Sequence, residues 1–246
     1  MVKLAVITGT SGVLGAEISK RFKKAGYLIC GLDKRKSQNK SLDIFIQIDF
    51  NDFVKNAEVR ENVLLKIRKW AKKNPIRTIV NNAAYQFIAS THPMDPIEIS
   101  KSYNINVIAP YLLITNLVGL LTPEMGSVIN VGSIHARLTK PGFLAYSLSK
   151  SALSALTRAL AIDYEGLFRI NCIEPAAINT PMLLEGFTNL ENELLELKKC
   201  HPQNRIATPK EIAEMIYLIN SEKVRFLHGA SVDISGGIAG RLHDPI

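Results

Sequence analysis

The sequence is poor in cysteine and has no long apolar run. Its three cysteines, Cys30, Cys172 and Cys200, are odd in number and far apart, so they offer no disulfide framework and no metal-ligand spacing. The apolar stretch from Val2 to Ile7 is too short for a signal peptide, and no segment reaches the length of about 18 uninterrupted apolar residues that predicts a membrane span. We therefore expect a soluble, cytoplasmic protein with reduced thiols, no bound metal and no membrane partner.

Charge of one sign is not concentrated in any part of the chain. The 30 basic and 22 acidic residues give a formal net charge of +8, which would suit an anionic ligand. The basic residues nevertheless alternate with apolar positions on predicted helices, as in the segment 20–24, which is typical of solvated helix faces. We expect a small-molecule substrate as the partner and no nucleic acid.

Short β-branched runs alternate with segments of helical periodicity along the whole chain. Strands are predicted at 2–7, 27–32, 44–48, 77–80, 127–131, 168–173 and 230–234. Helices are predicted at 14–25, 59–70, 102–121, 146–160 and 209–219. Strands that alternate with helices pair in parallel, so the predicted fold class is α/β, a Rossmann-type doubly wound parallel sheet of about seven strands in a single domain over residues 1–246.

One amphipathic segment lies outside this alternation. Residues 182–203 carry leucines at helix-like spacing after the end of a predicted strand. Such an insertion is predicted to form a lid over a ligand cleft. A surface helix pair or a contact with a partner would produce the same pattern.

A glycine-rich turn connects the first predicted strand to the first predicted helix. It reads TGTSGVLG at residues 8–15. Backbone amides at a helix N-terminus bind anions, and glycines let a pyrophosphate approach without a Cβ in the way. The alternative is a tight turn without a ligand. Because Asp33 ends the second strand 18 residues after Gly15, the arrangement indicates a dinucleotide-binding unit.

Asp33 also bears on the choice of cofactor. A carboxylate at this position accepts hydrogen bonds from the 2′- and 3′-hydroxyls of an adenosine ribose and would repel a 2′-phosphate. NAD is therefore predicted as the cofactor, and NADP is less favoured. Lys34 and Arg35 complicate this prediction, because either cation could neutralise a phosphate.

Tyr146 and Lys150 stand four residues apart at the start of a predicted helix, which places both side chains on one face. Moving a phenol pKa from about 10 to near neutrality requires about 4 kcal/mol. A cation at about 5 Å, with an effective dielectric constant of about 20, supplies roughly 3 kcal/mol of this. The pair can therefore act as an acid and base, although such pairs also occur on solvated helix faces.

Further motifs fall in order around these residues, and together they resemble the short-chain dehydrogenase/reductase family, of the classical type by length. The likeness covers nearly the whole chain, from Val6 to Gly237. Ser133 lies 13 residues before Tyr146, which is the spacing in the family. The stretches that match family motifs are 8–15, 81–84, 130–133, 171–180 and 233–237.

The resemblance implies an oxidoreductase that transfers a hydride between a nicotinamide cofactor and an alcohol or ketone, with sugars, polyols and hydroxy acids as substrate classes. In the family mechanism Tyr146 is the acid and base. Lys150 lowers the phenol pKa and binds the nicotinamide ribose, Ser133 positions the reacting oxygen, and Asn106 kinks a helix and supports a proton-relay water. A homotetramer or homodimer through the helices that carry Asn106 and Tyr146 is also implied.

The resemblance implies a set of cofactor-binding residues as well. Asp49 is the acid expected to contact adenine, and the stretch 171–180 resembles the segment that holds the nicotinamide carboxamide. The full set is Gly9, Ser11, Gly12, Val13, Leu14, Gly15, Asp33, Asp49, Phe50, Asn82, Ala83, Ala84, Tyr146, Lys150, Pro175, Ala176, Ile178 and Thr180.

Three features depart from the family pattern. Gly12 comes one place early and Val13 fills the expected glycine position, a spacing that resembles the extended subfamily with its sugar-nucleotide epimerases and dehydratases. An NAD-dependent epimerase or dehydratase is therefore an alternative function, and a non-enzymatic nucleotide-binding protein is another. Ala84 and Ala176 replace glycines, and we expect cofactor binding to survive these methyl groups where the local φ is negative.

The residues between the expected catalytic serine and tyrosine line the substrate side in the family. Here they include His135, Arg137 and Lys140. A basic side chain that faces the cleft would favour an anionic or highly polar substrate, whereas one that faces outward would contribute only to solubility. The stretch 85–86, Tyr-Gln, is expected to border the same cleft.

Overall fold

Seven strands form one sheet in the computed structural model, which describes residues 2–72, 74–88, 94–123, 125–187 and 189–242. The strands are β1 (Lys3–Thr8), β2 (Tyr27–Asp33), β3 (Ile44–Gln47), β4 (Ile76–Asn81), β5 (Ser127–Val131), β6 (Arg169–Pro175) and β7 (Ser231–Ile234). All pairs are parallel, in the order β3-β2-β1-β4-β5-β6-β7. The strand order reverses between β1 and β4, which opens a crevice at the carboxyl edge there. The predicted α/β class and doubly wound sheet are confirmed.

Helices cover both faces of this sheet. A π-helical turn, Asn104–Ile108, joins two of them, and short 3₁₀ turns lie at Val118–Leu120, Ile134–Ala136, Glu222–Val224 and Ile238–Gly240. The α-helices are α1 (Val13–Lys24), α2 (Phe50–Lys55), α3 (Ala57–Ala71), α4 (Pro96–Tyr103), α5 (Ala109–Leu117), α6 (Leu144–Asp163), α7 (Pro181–Leu184), α8 (Leu190–Cys200) and α9 (Pro209–Asn220).

The central strands are buried on both faces, which explains their nearly continuous apolar sequences. All residues of β4, β5 and β6 are buried. One core cluster packs α2, α3, α5 and α6 against the sheet through residues such as Phe53 and Leu113. The other packs α1 and α9 on the opposite face through residues such as Ile18 and Ile216. Each such side chain contributes about 1.5–3 kcal/mol when it is fully buried.

Local sequence fixes where several helices begin. Asn56 accepts two backbone hydrogen bonds at the start of α3. Thr208 and Glu211 form a reciprocal capping box at the start of α9, where Pro209 occupies the first helical position. Caps of this kind stabilise a helix by about 1 kcal/mol each.

The segment predicted as one helix at 102–121 begins earlier and is not uniform. Asp95 caps the start of α4, and the chain then widens into the π-helical turn before α5. Pro110 accounts for the widening, because it lacks the N–H that would bond the Asn106 carbonyl in an α-helix, and its ring would clash with that carbonyl. The apolar periodicity of the sequence predicted helix but not this change of helix type.

The continuous helical stretch Pro96–Leu120 is long and apolar enough to cross a membrane by length and composition alone. Its apolar side chains are nevertheless used inside the fold. Leu113, Ile114 and Leu117 have no exposed surface and belong to the core cluster against the sheet. The stretch is therefore a core element of this domain.

The segment 182–203, predicted to be a lid, contains the end of α7 and all of α8, and Thr188 lies outside the described residues. No residue of α8, which the structure describes in full, is buried. The segment approaches the body of the protein at Gly186, where an added Cβ would lie 3.4 Å from the Cδ1 atom of Ile88. An exposed helix of this kind suits a moving element, and its role as a lid stays a prediction.

Candidate active site

The glycine turn at 8–15 is packed so tightly that side chains are excluded from both of its ends. Gly9 has a φ of +72°, and a Cβ there would lie 2.7 Å from the side-chain nitrogen Nδ2 of Asn82. A Cβ at Gly15 would lie 2.0 Å from the Gly9 carbonyl oxygen. At Gly12 a Cβ would meet protein atoms only at 3.4 Å or more. Packing therefore requires glycine at the two ends, whereas Gly12 keeps the approach to the helix N-terminus open.

The N-terminus of α1 has capacity to bind an anion. Its N-cap residue, Gly12, supplies no side-chain hydrogen bond, and its first turn carries no acidic residue. By contrast α2, α3, α4 and α9 each begin with a side-chain cap, whereas α6, α7 and α8 begin without one, as α1 does. The partial positive charge of α1 is thus not neutralised by its own cap, and the residues present fit the pyrophosphate of a dinucleotide cofactor.

Asp33 ends β2 beside the same turn. Its carboxylate oxygens accept hydrogen bonds from the backbone N–H groups of Ser11 and Arg35, both at 2.9 Å. Each oxygen has a further lone pair, so the acid keeps capacity for hydroxyl donors. The Arg35 guanidinium stands close by, with Nε 3.8 Å from Asp33 Oδ1 and Nη2 3.6 Å from a Cβ built on Gly12. An acid and a cation therefore border the predicted ribose site together.

Asn82 supports the turn from the end of β4. Its Nδ2 donates to the carbonyl oxygens of Thr8 at 3.0 Å and Gly9 at 3.2 Å. The Thr8 hydroxyl in turn accepts from the N–H groups of Asn82 and Ala83, both at 2.9 Å. The stretch 82–84 therefore lies against the glycine turn, and the Asn82 amide is used to hold that turn in place.

Other predicted cofactor residues have structural partners of their own. Asp49 is the N-cap of α2 and accepts a backbone hydrogen bond there. Phe50 is buried in the core, edge-to-face with Phe53. Ala84 and Ala176 are not among the described non-glycine residues with positive φ. The backbone at these two positions therefore accepts the methyl group that replaces a glycine hydrogen. Their contacts with a cofactor stay predictions.

Ser133, Tyr146 and Lys150 come together at the carboxyl edge of the sheet. Ser133 follows β5, and Tyr146 and Lys150 lie one turn apart on α6; all three are buried. Ser133 Oγ accepts from the His135 N–H at 3.2 Å and lies close enough to the Tyr146 phenol to lower its pKa, and the Lys150 ammonium lies 5.5 Å from the centre of the Tyr146 ring. Lys150 Nζ also donates to the carbonyl oxygen of Val131 at 2.7 Å. The structure thus brings together the serine, tyrosine and lysine of the predicted catalytic set.

Burial controls the protonation of the phenol and the ammonium. It raises the pKa of Tyr146 to about 12, against the opposing effect of the Ser133 hydroxyl. It lowers the pKa of Lys150 to about 8. Burial therefore outweighs the lowering of the phenol pKa that we expected from Lys150, whose ammonium is directed to Val131. At neutral pH the phenol is protonated and the ammonium is charged.

The side chain of Asn106 connects the loop after β4 to α6. Its Oδ1 accepts from the Tyr85 N–H at 2.7 Å, and its Nδ2 donates to the Tyr85 carbonyl at 2.8 Å and to Ser149 Oγ at 2.9 Å. Ser149 Oγ in turn donates to the Tyr146 carbonyl at 2.8 Å. The fourth predicted catalytic residue therefore lies one hydrogen bond from α6, and two from the Tyr146 carbonyl, at the π-helical turn.

The segment that resembles the carboxamide-binding stretch continues directly from β6. Pro175 ends that strand, and the N–H of Ala176 donates to β7 at 3.3 Å. Ile178 forms a bridge with Ala207, and Thr180 is the N-cap of α7. The segment is therefore fixed to the sheet at one end and leads into the predicted lid at the other.

An aromatic cluster beside Tyr146 was not predicted from the sequence. His135 stacks on Phe143 with ring centres 4.5 Å apart and meets Tyr146 edge-to-face at 5.7 Å. Burial, assisted by the charge of Lys140, lowers the pKa of His135 to about 4, so the imidazole is neutral at neutral pH. The only signal in the sequence was that His135 stands two residues after the expected catalytic serine.

Arg137 lies at the surface, with its side chain 54% exposed, and pairs with two acids of the sheet. Its guanidinium donates to Glu174 at 2.8 Å and to Asp233 at 2.9 Å. Because both acids belong to the sheet, the cation is neutralised internally. The interpretation that Arg137 recognises an anionic substrate is therefore not favoured. Lys140 is the basic residue of this stretch that stays a candidate for contact with such a substrate. Glu174 carried no signal in the sequence.

Comparisons with known proteins identify the family. The sequence profile described as enoyl-(acyl carrier protein) reductase matches residues 9–239. Human dehydrogenase/reductase SDR family member 4 is 30% identical over 257 residues, which cover 98% of this chain and 88% of that protein. Protein FixR of Bradyrhizobium diazoefficiens is 29% identical over 250 residues, which cover 96% of this chain and 86% of that protein.

Solved structures share the fold. Ligand-free aldohexose dehydrogenase of Thermoplasma acidophilum has a TM-score of 0.90 at 24% identity, covering 100% of this chain and 97% of that one. ElxO with NADP bound and 4-hydroxyisoleucine dehydrogenase complexed with NADH both have TM-scores of 0.83, at 23% and 22% identity, over 98% of this chain and 100% of each of theirs. With its glycine turn, its parallel sheet and its clustered serine, tyrosine and lysine, the chain belongs to the short-chain dehydrogenase/reductase family, whose members are oxidoreductases that use nicotinamide cofactors.

Proposed function

We propose that the protein is an NAD-dependent oxidoreductase that transfers a hydride between the cofactor and an alcohol or ketone, with Tyr146 as acid and base. Support comes from the adjacency of Ser133, Tyr146 and Lys150 at the sheet edge that also carries the open glycine turn. Carbonyl reduction requires one positioned proton donor beside the cofactor. The bound nicotinamide supplies or accepts the hydride.

In the reduction direction Tyr146 donates its phenol proton to the substrate oxygen. The raised pKa keeps that proton on the phenol at neutral pH. Ser133, which is buried near the phenol, donates to the same substrate oxygen and holds it in place. The Lys150 ammonium stabilises the phenolate that remains, from a distance of 5.5 Å to the ring centre. Oxidation of the alcohol uses the same groups in reverse.

NAD is the proposed cofactor because Asp33 is held at the predicted ribose site by two backbone hydrogen bonds. A 2′-phosphate would lie against this carboxylate. The fold itself does not decide the matter, since ElxO binds NADP and 4-hydroxyisoleucine dehydrogenase binds NADH. Arg35, beside Asp33, is the residue through which NADP would gain affinity.

The surroundings of Tyr146 favour a neutral, hydroxylated substrate. The rings of His135, Phe143 and Tyr146 form an uncharged wall at neutral pH, and Arg137 is neutralised by acids of the sheet. Sugars and polyols are therefore the first substrate classes, in keeping with the aldohexose dehydrogenase that shares the fold. Hydroxy acids come next, because Lys140 lies 4.9 Å from the centre of the Phe143 ring.

The test measures NADH formation or consumption with a panel of sugars, polyols, hydroxy acids and the matching carbonyl compounds. Tyr146→Phe should reduce turnover of any accepted substrate by about 10² to 10⁴, as loss of a general acid does. Tyr164→Phe, at the C-terminus of the same helix, is the matched control and should change turnover less than about twofold. A Tyr146→Phe protein that loses less than about tenfold would exclude Tyr146 as the acid.

A second candidate is an epimerase or dehydratase that regenerates its own NAD. The middle glycine of the turn is Gly12, which is the N-cap of α1, and Val13 occupies the position of the expected glycine. This glycine spacing resembles that of the extended subfamily. NAD that stays bound through purification, together with product formed without net NADH, would support this candidate. A rapidly exchanging cofactor would exclude it, and absence of any turnover would favour a non-enzymatic nucleotide-binding protein.

We also propose a cytoplasmic homotetramer or homodimer. Tyr111 on α5 and Leu144, Leu148 and Ile162 on α6 expose apolar surface. Helix pairing between copies would remove this surface from water. Light scattering over a range of concentrations measures the mass directly, and a monomer at every concentration would contradict the proposal.

The segment 182–203 is proposed to close over the bound substrate. Its longer helix, α8, buries none of its residues against the body, so opening costs little apolar contact. Hydrogen exchange of this segment should slow when cofactor and substrate are both present. Unchanged exchange would favour a surface helix pair.

A further inference from the structure

Glu174 is a buried carboxylate at the carboxyl end of β6. The residue is 1% exposed, and both of its oxygens have partners. Oε1 accepts from Ser154 Oγ at 2.7 Å, and Oε2 accepts from Arg137 Nε at 2.8 Å. A buried charge is tolerated only when it is paired and hydrogen-bonded. These two partners therefore fix where the carboxylate lies.

The three residues come from the three segments that carry the predicted chemistry. Arg137 stands four residues after Ser133, at the end of the 3₁₀ turn that Ser133 caps. Ser154 lies one helical turn beyond Lys150 on α6. Glu174 immediately precedes the stretch 175–180, which resembles the carboxamide-binding segment. One carboxylate thus connects the segment that follows Ser133, helix α6 and the strand that leads into the predicted nicotinamide site.

The two ion pairs of Arg137 differ in strength. The ion pair with Asp233, here called the Asp233 arm, involves an acid whose side chain is 38% exposed, so solvent screens the attraction. The arm to Glu174 reaches an acid whose side chain is 1% exposed, where loss of the partner leaves an uncompensated buried charge. We expect the ion pair with Glu174, here called the Glu174 arm, to account for most of the stabilisation that Arg137 gives to its own segment.

We propose that Arg137, through its ion pair with Glu174, is a positioning residue that holds the Ser133 segment in register with the catalytic helix. This inference rests on the proposed function, because that function assigns Ser133 to the substrate oxygen. Without Arg137, the segment after Ser133 keeps one side-chain hydrogen bond to α6, from Ser151 Oγ to the Ala136 carbonyl at 2.7 Å. The Ser133 hydroxyl would then lose its fixed position against Tyr146.

The kinetic test compares Arg137→Met with Arg68→Met, which removes an exposed ion pair on α3. Arg137→Met should lower kcat at least tenfold with the KM for cofactor changed less than about threefold, whereas Arg68→Met should leave both unchanged. Arg137→Lys guards against loss of folding, because it keeps a cation beside Glu174, and it should lower kcat less than Arg137→Met does. An Arg137→Met protein with wild-type kcat, or an Arg137→Lys protein as impaired as Arg137→Met, would overturn the inference.

The double variant Arg137→Met/Glu174→Gln separates the two arms. It leaves no buried carboxylate without its partner, because Asp233, which also loses Arg137, is 38% exposed; its kcat should therefore exceed that of Arg137→Met at least threefold. Asp233→Asn alone should lower kcat less than about threefold. The Glu174 arm is not the cause of the lower kcat if the double variant has the same kcat as Arg137→Met. The same conclusion holds if Asp233→Asn lowers kcat as much as Arg137→Met does.

Hydrogen exchange gives a readout that does not depend on turnover. Amides at 134–142 should exchange at least tenfold faster in Arg137→Met, while those at 155–163 on α6 stay unchanged. Equal exchange at 134–142 in wild type and variant would overturn the positioning role. If the wild-type protein turns over no substrate but the exchange result holds, the proposed function fails and the structural role of the ion pair stands.

Discussion

Pro110 stands four residues after Asn106, at the spacing where an α-helix would bond the two backbones, and it has no N–H to donate. The chain accommodates this with the π-helical turn Asn104–Ile108. That turn carries the Asn106 amide, which bonds the backbone of Tyr85 on both its N–H and its carbonyl. The helical turn next to Pro110 therefore carries the side chain that joins the loop after β4 to α6 by hydrogen bonds.

Asn106→Ala should destabilise the protein and slow catalysis. It removes the partner of the Tyr85 N–H and carbonyl, which are partly buried, and of the buried Ser149 hydroxyl, and a group left unsatisfied costs about 1–3 kcal/mol when it is fully buried. We expect a loss of about 2–4 kcal/mol in the free energy of unfolding, measured in urea, and at least a tenfold loss of turnover. Asn104→Ala, in the same turn, loses one hydrogen bond to Asn51 and should cost less than about 1.5 kcal/mol. Equal stability of wild type and Asn106→Ala would contradict the role of the amide.

Lys150 should destabilise the folded protein below pH 8. Folding lowers its pKa from 10.5 to about 8, so the unfolded chain holds more protons between those values and wild-type stability rises with pH there. The penalty at low pH is about 3 kcal/mol. The unfolding free energy of wild type minus that of Lys150→Met should therefore increase by about this amount from pH 7 to 10.5.

Urea unfolding at both pH values measures this difference. The matched control is Lys66→Met, which replaces an exposed lysine on α3 and should show no pH-dependent difference from wild type. A flat difference for Lys150→Met would mean that the ammonium is not penalised by burial.

Gly15→Ala should disrupt the cofactor site. Its Cβ would lie 2.0 Å from the Gly9 carbonyl oxygen, so the turn must move. We expect NADH affinity, measured by fluorescence titration, to fall at least tenfold. Gly119→Ala is the control, because a Cβ there meets nothing within 4 Å. Equal affinity in the two variants would remove the glycine turn from the binding site.

Asp33→Asn should shift cofactor preference toward NADP. The variant removes the charge that opposes a 2′-phosphate and keeps an acceptor for the backbone N–H of Ser11. Calorimetric titration should show the ratio of NADP to NAD affinity rising at least tenfold. Adding Arg35→Ala should reverse most of that gain, whereas adding Lys34→Ala should not. An unchanged ratio in Asp33→Asn would place the ribose elsewhere.

The strands and the pairing of Tyr146 with Lys150 could be predicted because both follow from local pattern, whereas Ser133 and Asn106 are identified through the family resemblance. Runs buried on both faces identify the parallel strands, and the carboxyl edge of such a sheet brings Ser133 close to Tyr146 whatever the sequence between them. The partners of Arg137 could not be predicted, because Glu174 and Asp233 lie 37 and 96 residues away. The direction of the pKa shift at Tyr146 depends on burial, which no spacing reveals.

The bond between Asn106 and residue 85 uses only the backbone of the latter. Any residue other than proline supplies the same N–H and carbonyl, so the side chain at position 85 is independent of the connection to α6. Because position 85 is expected to border the substrate cleft, its side chain can change in evolution or by design while Asn106 keeps its place. In this chain the link from Asn106 thus fixes the backbone at position 85, while the tyrosine hydroxyl there donates to Glu98.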